Sequence, residues 1–371
     1  MFPQRWGMVG LAALALAGCG TTPKPAVTPP VTPPPPAIST PPVTPPPLSQ
    51  AWSREFAALP GWADDDHAAA LAAFRATCGA ARDPAWAEVC RKARDLGPVS
   101  ELAARRFLEA NFRPEALTGD GLLTAYYAPE YEARDRPDAE FSAPVRPRPA
   151  DLRVTDGSQA YPDRTVIEAR PAGDALAWMR PEDLFFLQIQ GSGSLTFPDG
   201  RRLRAIYDSN NGKPFRGIAT AMRQRGLLAE NNTSGDAIIR WLAAHRGPEA
   251  DEIMQLNPRY VFFRLGPDDG ADPAGAAGVP LPAARSIAVD TSLHPLGELY
   301  WIDAKAPVLN GAFPVYQRLV IALDTGGAIK GEVRADLYLG RGAAAGLEAG
   351  RVRHTLRLWR LVPVVDPWGP R

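Results

Sequence analysis

Hydrophobic and polar positions divide the chain into stretches of different texture. The first is an apolar run from Met8 to Ala17, preceded by Arg5. It is shorter than the about 20 residues a bilayer requires and fits the apolar region of a secretory signal. The next, residues 22–50, is almost entirely Pro, Thr, Val, Ala and Ser. Such a stretch packs no core and stays extended. From residue 51 to about 115 the pattern is helical. Asp66 to Thr77 reads as one helix, with Gly79 as its stop. Asp83-Pro84 reads as an N-cap followed by Pro at the first helical position, opening a second helix. Ser100 caps a third that runs through Phe112, with Leu102, Phe107 and Leu108 as its apolar members.

Beyond Gly121 the period changes. Leu122 to Tyr127 is a strand-like run, and residues 134–180 read as short strands and loops. Glu182 to Gln190 ends in alternation, with Phe186, Gln188 and Gln190 set against Leu187 and Ile189, which predicts a strand. Helices are predicted near 215–226 and 235–246, the second capped by Ser234 with Ile238, Ile239, Trp241 and Leu242 on its core face. Arg259 to Arg264 predicts another strand, and residues 266–280 a Gly/Pro/Asp/Ala hinge. Ser286–Val289, Leu299–Asp303, Leu319–Asp324 and Arg334–Leu339 follow as short, regularly spaced strands, the pattern of a small barrel or sandwich.

Composition narrows the function. Lys plus Arg is 41 and Asp plus Glu is 41 in 371 residues. A chain without a cationic surplus is not expected to bind nucleic acid. Of 40 Pro, 13 fall between Thr22 and Gln50. At about 3.1 Å per residue such a tether reaches up to roughly 90 Å. The sequence Leu16-Ala17-Gly18-Cys19 reads as a lipoprotein cleavage site, in which Cys19 becomes the acylated first residue. This predicts a signal peptide over 1–18, a lipidated Cys19 with a Pro-rich tether over 19–50, and a protein held to the membrane through its lipid. Gly20 rather than Asp after that Cys favours the outer membrane, with the chain facing the periplasm. Export permits disulfides, and Cys78 and Cys90, on adjacent helices, are expected to pair; the alternative is two buried free thiols. His67, His245, His294 and His354 are scattered, so neither a metal site nor a cofactor is expected.

The remaining candidates are carboxylates. In the C-terminal third, strand-like runs end at Asp290, Asp324 and Asp336, each followed by a turn. Gly191-Ser192-Gly193 is not a dinucleotide fingerprint, Gly326 to Gly331 is not a phosphate loop, and no serine elbow is present. Carboxylates suit glycosidic cleavage, in which an acid protonates the leaving oxygen as the sugar carbon becomes oxocarbenium-like.

The run from Asp324 to Gly340 (DTGGAIKGEVRADLYLG) resembles the signature of the membrane-bound lytic murein transglycosylase A family. Asp290 to Gly297 (DTSLHPLG), Leu184 to Gly193 (LFFLQIQGSG) and Asn257 to Arg264 (NPRYVFFR) fit the same family. Leu123 to Tyr127 (LTAYY) is similar to its LTGYY run, with Ala125 in place of Gly and Ala128 where Glu is usual. The likeness spans about residues 55–365. It implies a mainly β fold with some α: a double-psi β-barrel domain, residues 51–129 and 265–365 with N-terminal helices, interrupted by an inserted β-rich domain, residues 130–264, with the catalytic groove between them. It also implies cleavage of the MurNAc–GlcNAc bond of peptidoglycan glycan strands without water, giving 1,6-anhydro ends, with Asp336 as the single catalytic aspartate.

On that reading Asp324 orients Asp336 or stabilises developing positive charge, and Asp290 does the same or holds a turn. Thr124, Tyr126, Tyr127, Gln188, Gln190, Gly191, Ser192, Gly193, Asn211, Gly326, Gly327 and Lys330 are the candidate glycan contacts, Asn211 lying in a sequence that reads first as a turn. Complexes with other cell-wall enzymes are compatible with this function. A non-catalytic wall-binding module and an inverting hydrolase are the alternatives.

Overall fold

The computed structural model describes residues 55–152, 161–229, 232–307 and 313–364. The predicted signal peptide, Cys19 and the tether lie outside them. Described elements run in this order: α1 (His67–Thr77), α2 (Pro84–Leu96), α3 (Glu101–Asn111), β1 (Phe112–Ala116), β2 (Leu122–Ala128), β3 (Glu130–Glu132), β4 (Ala143–Val145), α4 (Arg164–Glu168) and β5 (Ala177–Met179). Then come α5 (Pro181–Gln190), β6 (Ser192–Thr196), β7 (Arg202–Asn210), α6 (Ala219–Gln224), α7 (Gly235–Ala244), α8 (Pro248–Gln255) and β8 (Val261–Pro267). The last are β9 (Ser286–Ala288), β10 (Leu299–Pro307), β11 (Tyr316–Asp324), β12 (Arg334–Arg341), α9 (Gly342–Ala349) and β13 (Arg353–Pro363).

The helix starts follow from side-chain capping. Asp66 accepts from Ala69 N at 2.8 Å, Asp83 from Ala85 N at 2.8 Å and Ser100 from Ala103 N at 3.4 Å. Each satisfies an orphan donor of its first turn. Cys78 and Cys90 are bonded, fastening the end of α1 to α2. In α3 the buried face is Ala104 and Leu108; Leu102, expected among the apolar members, is 57% exposed.

Strands β13, β10, β11, β9, β12 and β2 pair in that order, and β13 also pairs with β2, so the six close into a barrel with β1 attached outside. β2–β12 and β9–β11 are parallel; the other pairings around the ring are antiparallel. Strand alternation then sorts the side chains. Leu123, Ile287, Tyr300, Ile302, Val320, Ala322, Ala335, Leu337 and Leu358 fill the interior. Leu299, Trp301, Leu319, Ile321 and Leu361 point outward and bury against Trp62, Leu71, Phe74, Trp86 and Leu108 of the N-terminal helical layer. Each large side chain buried this way contributes roughly 1.5–3 kcal/mol.

The sequence between β2 and β9 builds a four-stranded sheet in the order β3-β6-β7-β8, covered by α5 to α8, and the small β4–β5 pair. A buried ionic joint links this sheet to the barrel. Asp268, just past β8, takes Arg341 at the end of β12 and Arg204 on β7 at 3.0 Å each. Burial alone raises the Asp268 carboxyl, but Ser194, Arg341 and Arg204 outweigh it and hold it well below the usual range.

One predicted element changes class: Pro181–Gln190 is a helix, not a strand. Pro181 occupies its first turn, Glu182 and Asp183 face the positive helix end, and Gly191 at φ 84° closes it. These terminal signals prevail over a short alternation that a buried helix tolerates equally well.

Candidate active site

The strand register sets the site. Asp324 on β11 and Asp336 on β12 are both paired with Ala288 of the intervening β9, and Asp336 is paired on its other side with Thr124 of β2. Asp336 lies between the interior residues Ala335 and Leu337, so alternation sends it out of the barrel. Asp324 reaches the same outer face through a register shift after Ala322, which inserts one residue before the pairing with Ala288. Two strand spacings put the Asp324 and Asp336 backbones about 10 Å apart, with Ala288 as the paired residue between them.

Asp336 is half-buried as a residue, with its carboxyl enclosed except toward a cavity. Thr124 Oγ1 donates to its Oδ1, and Arg334 Nη2 donates to that Thr124 oxygen at 2.8 Å. Burial pushes the Asp336 carboxyl above its ordinary range. Arg334 and the Thr124 hydrogen bond pull against the rise, while Asp324 adds to it. Asp324 is raised by burial too. Tyr126 donates to its Oδ2 at 2.8 Å and Ala276 N to its Oδ1 at 3.0 Å. Burial and the charge of Asp324 keep the Tyr126 phenol protonated, so it acts as that donor.

A cavity of about 260 Å³ is lined by Asp336, Thr124, Tyr126, Arg334 and Ile329 from the barrel side, and by Arg164, Phe215 and Asn257 from the opposite side. A second, of about 580 Å³, is lined by Asp324, Thr325 and Ala276 facing Ser192, Tyr207 and Arg264. Gln188, Ile189, Gln190, Arg259, Val261, Gly326 and Gly327 line both, so the two join as one groove between the barrel and the four-stranded sheet with its helices. Gln190 Oε1 accepts from Tyr127 N at 3.1 Å, tying α5 to β2 across the groove floor. Gln188 is 5% exposed and donates to Val261 O at 3.3 Å. Gly191 opens onto the larger cavity, and apart from its chain neighbours no residue lies within 4 Å of where its Cβ would stand.

Some predicted contacts lie elsewhere. Tyr127 follows Tyr126 on the strand and so faces the other way, where its ring packs on Gly346 of α9. Gly193 is buried; a Cβ there would stand 2.8 Å from Leu187 and 2.9 Å from Pro129 O, so its close approach is to the protein's own chain. Asn211 is 1% exposed, donating to Pro162 O at 2.9 Å and Pro258 O at 2.8 Å, and is a loop tie. Asp290 lines neither cavity: it accepts from Gly331 N at 3.1 Å and Ser292 Oγ at 2.8 Å, and pairs with exposed Lys330 at 3.4 Å. These contacts, led by Gly331 N, hold its carboxyl well below the usual range. It anchors the loop that carries Gly326 and Gly327 to the end of β9, and Lys330 belongs to that anchor.

Sequence reasoning missed Arg334, Arg259, Phe215, Asn257 and Tyr207, which line the groove. Arg334 was within reach, because a residue two before Asp336 on a strand shares its face. Among the described residues no cluster of three or more His, Cys, Asp or Glu is placed to hold a metal ion.

Residues 122–264 match the family model described as the MltA specific insert domain, and residues 285–362 match that of the 3D domain. The membrane-bound lytic murein transglycosylase A of Vibrio cholerae is 36% identical over 262 residues, 67% of this chain and 68% of that protein. The chain spans about two thirds of the length of the curated relatives it matches. A crystal structure of the membrane-bound lytic murein transglycosylase from Agrobacterium tumefaciens superposes with a TM-score of 0.72 at 33% identity, over 83% of this chain and 96% of that one. Escherichia coli MltA with bound chitohexaose gives 0.61 at 30% identity, over 76% of this chain and 83% of that one. With the second sheet and most of the barrel matched by the two family models, and a relative 36% identical over two thirds of both chains, the chain belongs to the membrane-bound lytic murein transglycosylase A family.

Proposed function

We propose that this chain is a lytic transglycosylase that cuts the MurNAc–GlcNAc bond of peptidoglycan without water, with Asp336 as its acid and then its base. The observation that carries this reading is the Asp336 carboxyl, buried against Thr124 and Arg334 yet open to a groove of sugar-binding dimensions. Its raised pKa keeps a proton available for the first step. Protonated Asp336 donates to the glycosidic oxygen, and the C1–O bond breaks as positive charge develops on the sugar carbon. The resulting carboxylate then takes the proton of the C6 hydroxyl of the same sugar, whose oxygen bonds to C1. The product is a 1,6-anhydro end, and Asp336 has recovered its proton. The nucleophile belongs to the substrate, so one carboxyl serves both steps.

Asp324 orients the site and lends negative charge to the oxocarbenium-like carbon. Both of its oxygens already hold donors, Tyr126 and Ala276, which suits a fixed electrostatic group better than a base that activates water. Tyr207, 43% exposed on the groove wall, offers a ring face to a sugar. A relative crystallised with chitohexaose supports a groove that accepts N-acetylated sugar chains. The barrel takes the double-psi form, built from residues 51–129 and 265–365 with 130–264 inserted. Lipidation at Cys19 holds it to the outer membrane, facing the periplasm.

Asp336→Asn keeps an acceptor for Thr124 and removes the titrating proton. Purified sacculi treated with this variant should release no anhydromuropeptides, at least about 1,000-fold less than wild type, given the usual weight of a general acid. Substantial release by a folded variant moves the acid to another carboxyl.

A further inference from the structure

The two walls of the groove differ in charge: the barrel wall carries both aspartates with Arg334, and the facing wall carries arginines, Arg164, Arg204, Arg259 and Arg264, without a carboxylate in the lining. Two of those four, Arg204 and Arg164, are engaged, and Arg264 is an exposed residue that lines only the larger cavity. Arg204 is held by Asp268 and Asp269 at 3.0 Å each, and Arg164 by Glu168 at 2.9 Å. Arg259 lines both cavities and has no carboxylate partner among the described residues.

Its guanidinium is nevertheless fixed. Nη1 donates to Lys213 O at 3.2 Å. A Cβ placed on Gly327 would lie 3.3 Å from Arg259 Cζ and 3.5 Å from each Nη. Those near-equal distances put the Cβ position above the guanidinium plane, not at its rim, so one face of the group rests on Gly327. The backbone is held as well: Arg259 O accepts from Arg164 Nη2 at 2.7 Å. What is left is the Nε and Nη2 edge, with no acceptor among the described residues. A pinned, half-dehydrated guanidinium with a free two-donor edge matches a carboxylate.

The N-acetylated sugar backbone of peptidoglycan carries no charge. Its carboxylates belong to the branch on MurNAc: the lactyl group, or the stem peptide attached to it. We propose that Arg259 binds a carboxylate of that branch, and so sets which of the two alternating sugars lies beside Asp336. The idea rests on the peptidoglycan reading above and adds to it the group that gives the cut its register.

The test uses the full chain in detergent, on an Asp336→Asn background so that glycan stays uncut, and measures Kd for three probes. Chitohexaose has no carboxylate, amidase-stripped glycan strands carry the lactyl carboxylate alone, and peptide-bearing strands carry the stem peptide. Arg259→Gln should weaken carboxylate-bearing strands about 10- to 100-fold, the weight of a lost charge-assisted pair. It should change chitohexaose less than about 2-fold. A loss on stripped strands assigns the lactyl group; a loss confined to peptide-bearing strands assigns the stem peptide. Equal weakening of chitohexaose by Arg259→Gln, or no weakening of either carboxylated probe, overturns the proposal. Wild-type protein that binds with this selectivity but cuts nothing overturns the enzymatic reading instead.

Discussion

At the scale of the residue, what sets Asp336 apart from the 41 Asp and Glu of the chain is its surroundings. Asp290, another strand-end aspartate, is stabilised as a carboxylate by Gly331 N, Ser292 and Lys330. Asp336 meets mainly burial, and burial opposes charge. This difference has a consequence for stability. A carboxyl whose folded-state pKa lies above its unfolded value contributes its full stabilisation below the unfolded value. That contribution is lost as pH rises through the folded one. Asparagine at 336 does not ionise, so Asp336→Asn should melt at a higher temperature than wild type near pH 7, and the gap should close toward about pH 4. Thermal unfolding across that range checks it; identical melting at both ends means the carboxyl is solvated. The same titration makes kcat/KM fall as pH rises through the Asp336 pKa, because the first step needs its proton.

At the scale of the element, the N-terminal helices are fastened to the barrel by outward-facing Leu299, Trp301, Leu319 and Ile321, and to each other by the Cys78–Cys90 bridge. With a sequence separation of 12, the bridge restricts the unfolded chain by about 3 kcal/mol in the loop-entropy model. Replacing both cysteines by Ser should lower the unfolding free energy by about that amount in denaturant titration, while the cut pattern on sacculi stays the same. These helices were legible in the sequence because each announces itself with a capping residue. The barrel strands were legible as short apolar runs at regular spacing, such as Leu319–Asp324, with partial alternation in Arg334–Leu339. The α5 helix was not: read through its alternation, Phe186 to Gln190 suggests a strand, and only Pro181 and Gly191 disclose the helix. Nor was the sorting of Tyr126 from Tyr127, which depends on which face of β2 meets the groove. Arg259 stayed hidden for a different reason: its partners, Lys213 and Gly327, lie far away in sequence.

At the scale of the whole molecule, the groove exists because an aspartate row on a barrel face meets a second sheet, and the buried Asp268 joint holds the two together. No helix among the described residues is long and apolar enough to cross a membrane. The lipidated Cys19 and its tether, which lie outside the described residues, are the proposed attachment. Cys19→Ala should therefore move the protein from the membrane fraction to the soluble fraction on cell fractionation, and unchanged membrane retention would mean a different anchor. The central claim, that the sugar's own hydroxyl replaces water, is tested most directly by mass spectrometry of sacculi digested by the wild-type chain in heavy-oxygen water. The account predicts muropeptides ending in 1,6-anhydro sugars with no heavy oxygen incorporated. Reducing ends carrying the heavy isotope would show that water is the nucleophile and would contradict it.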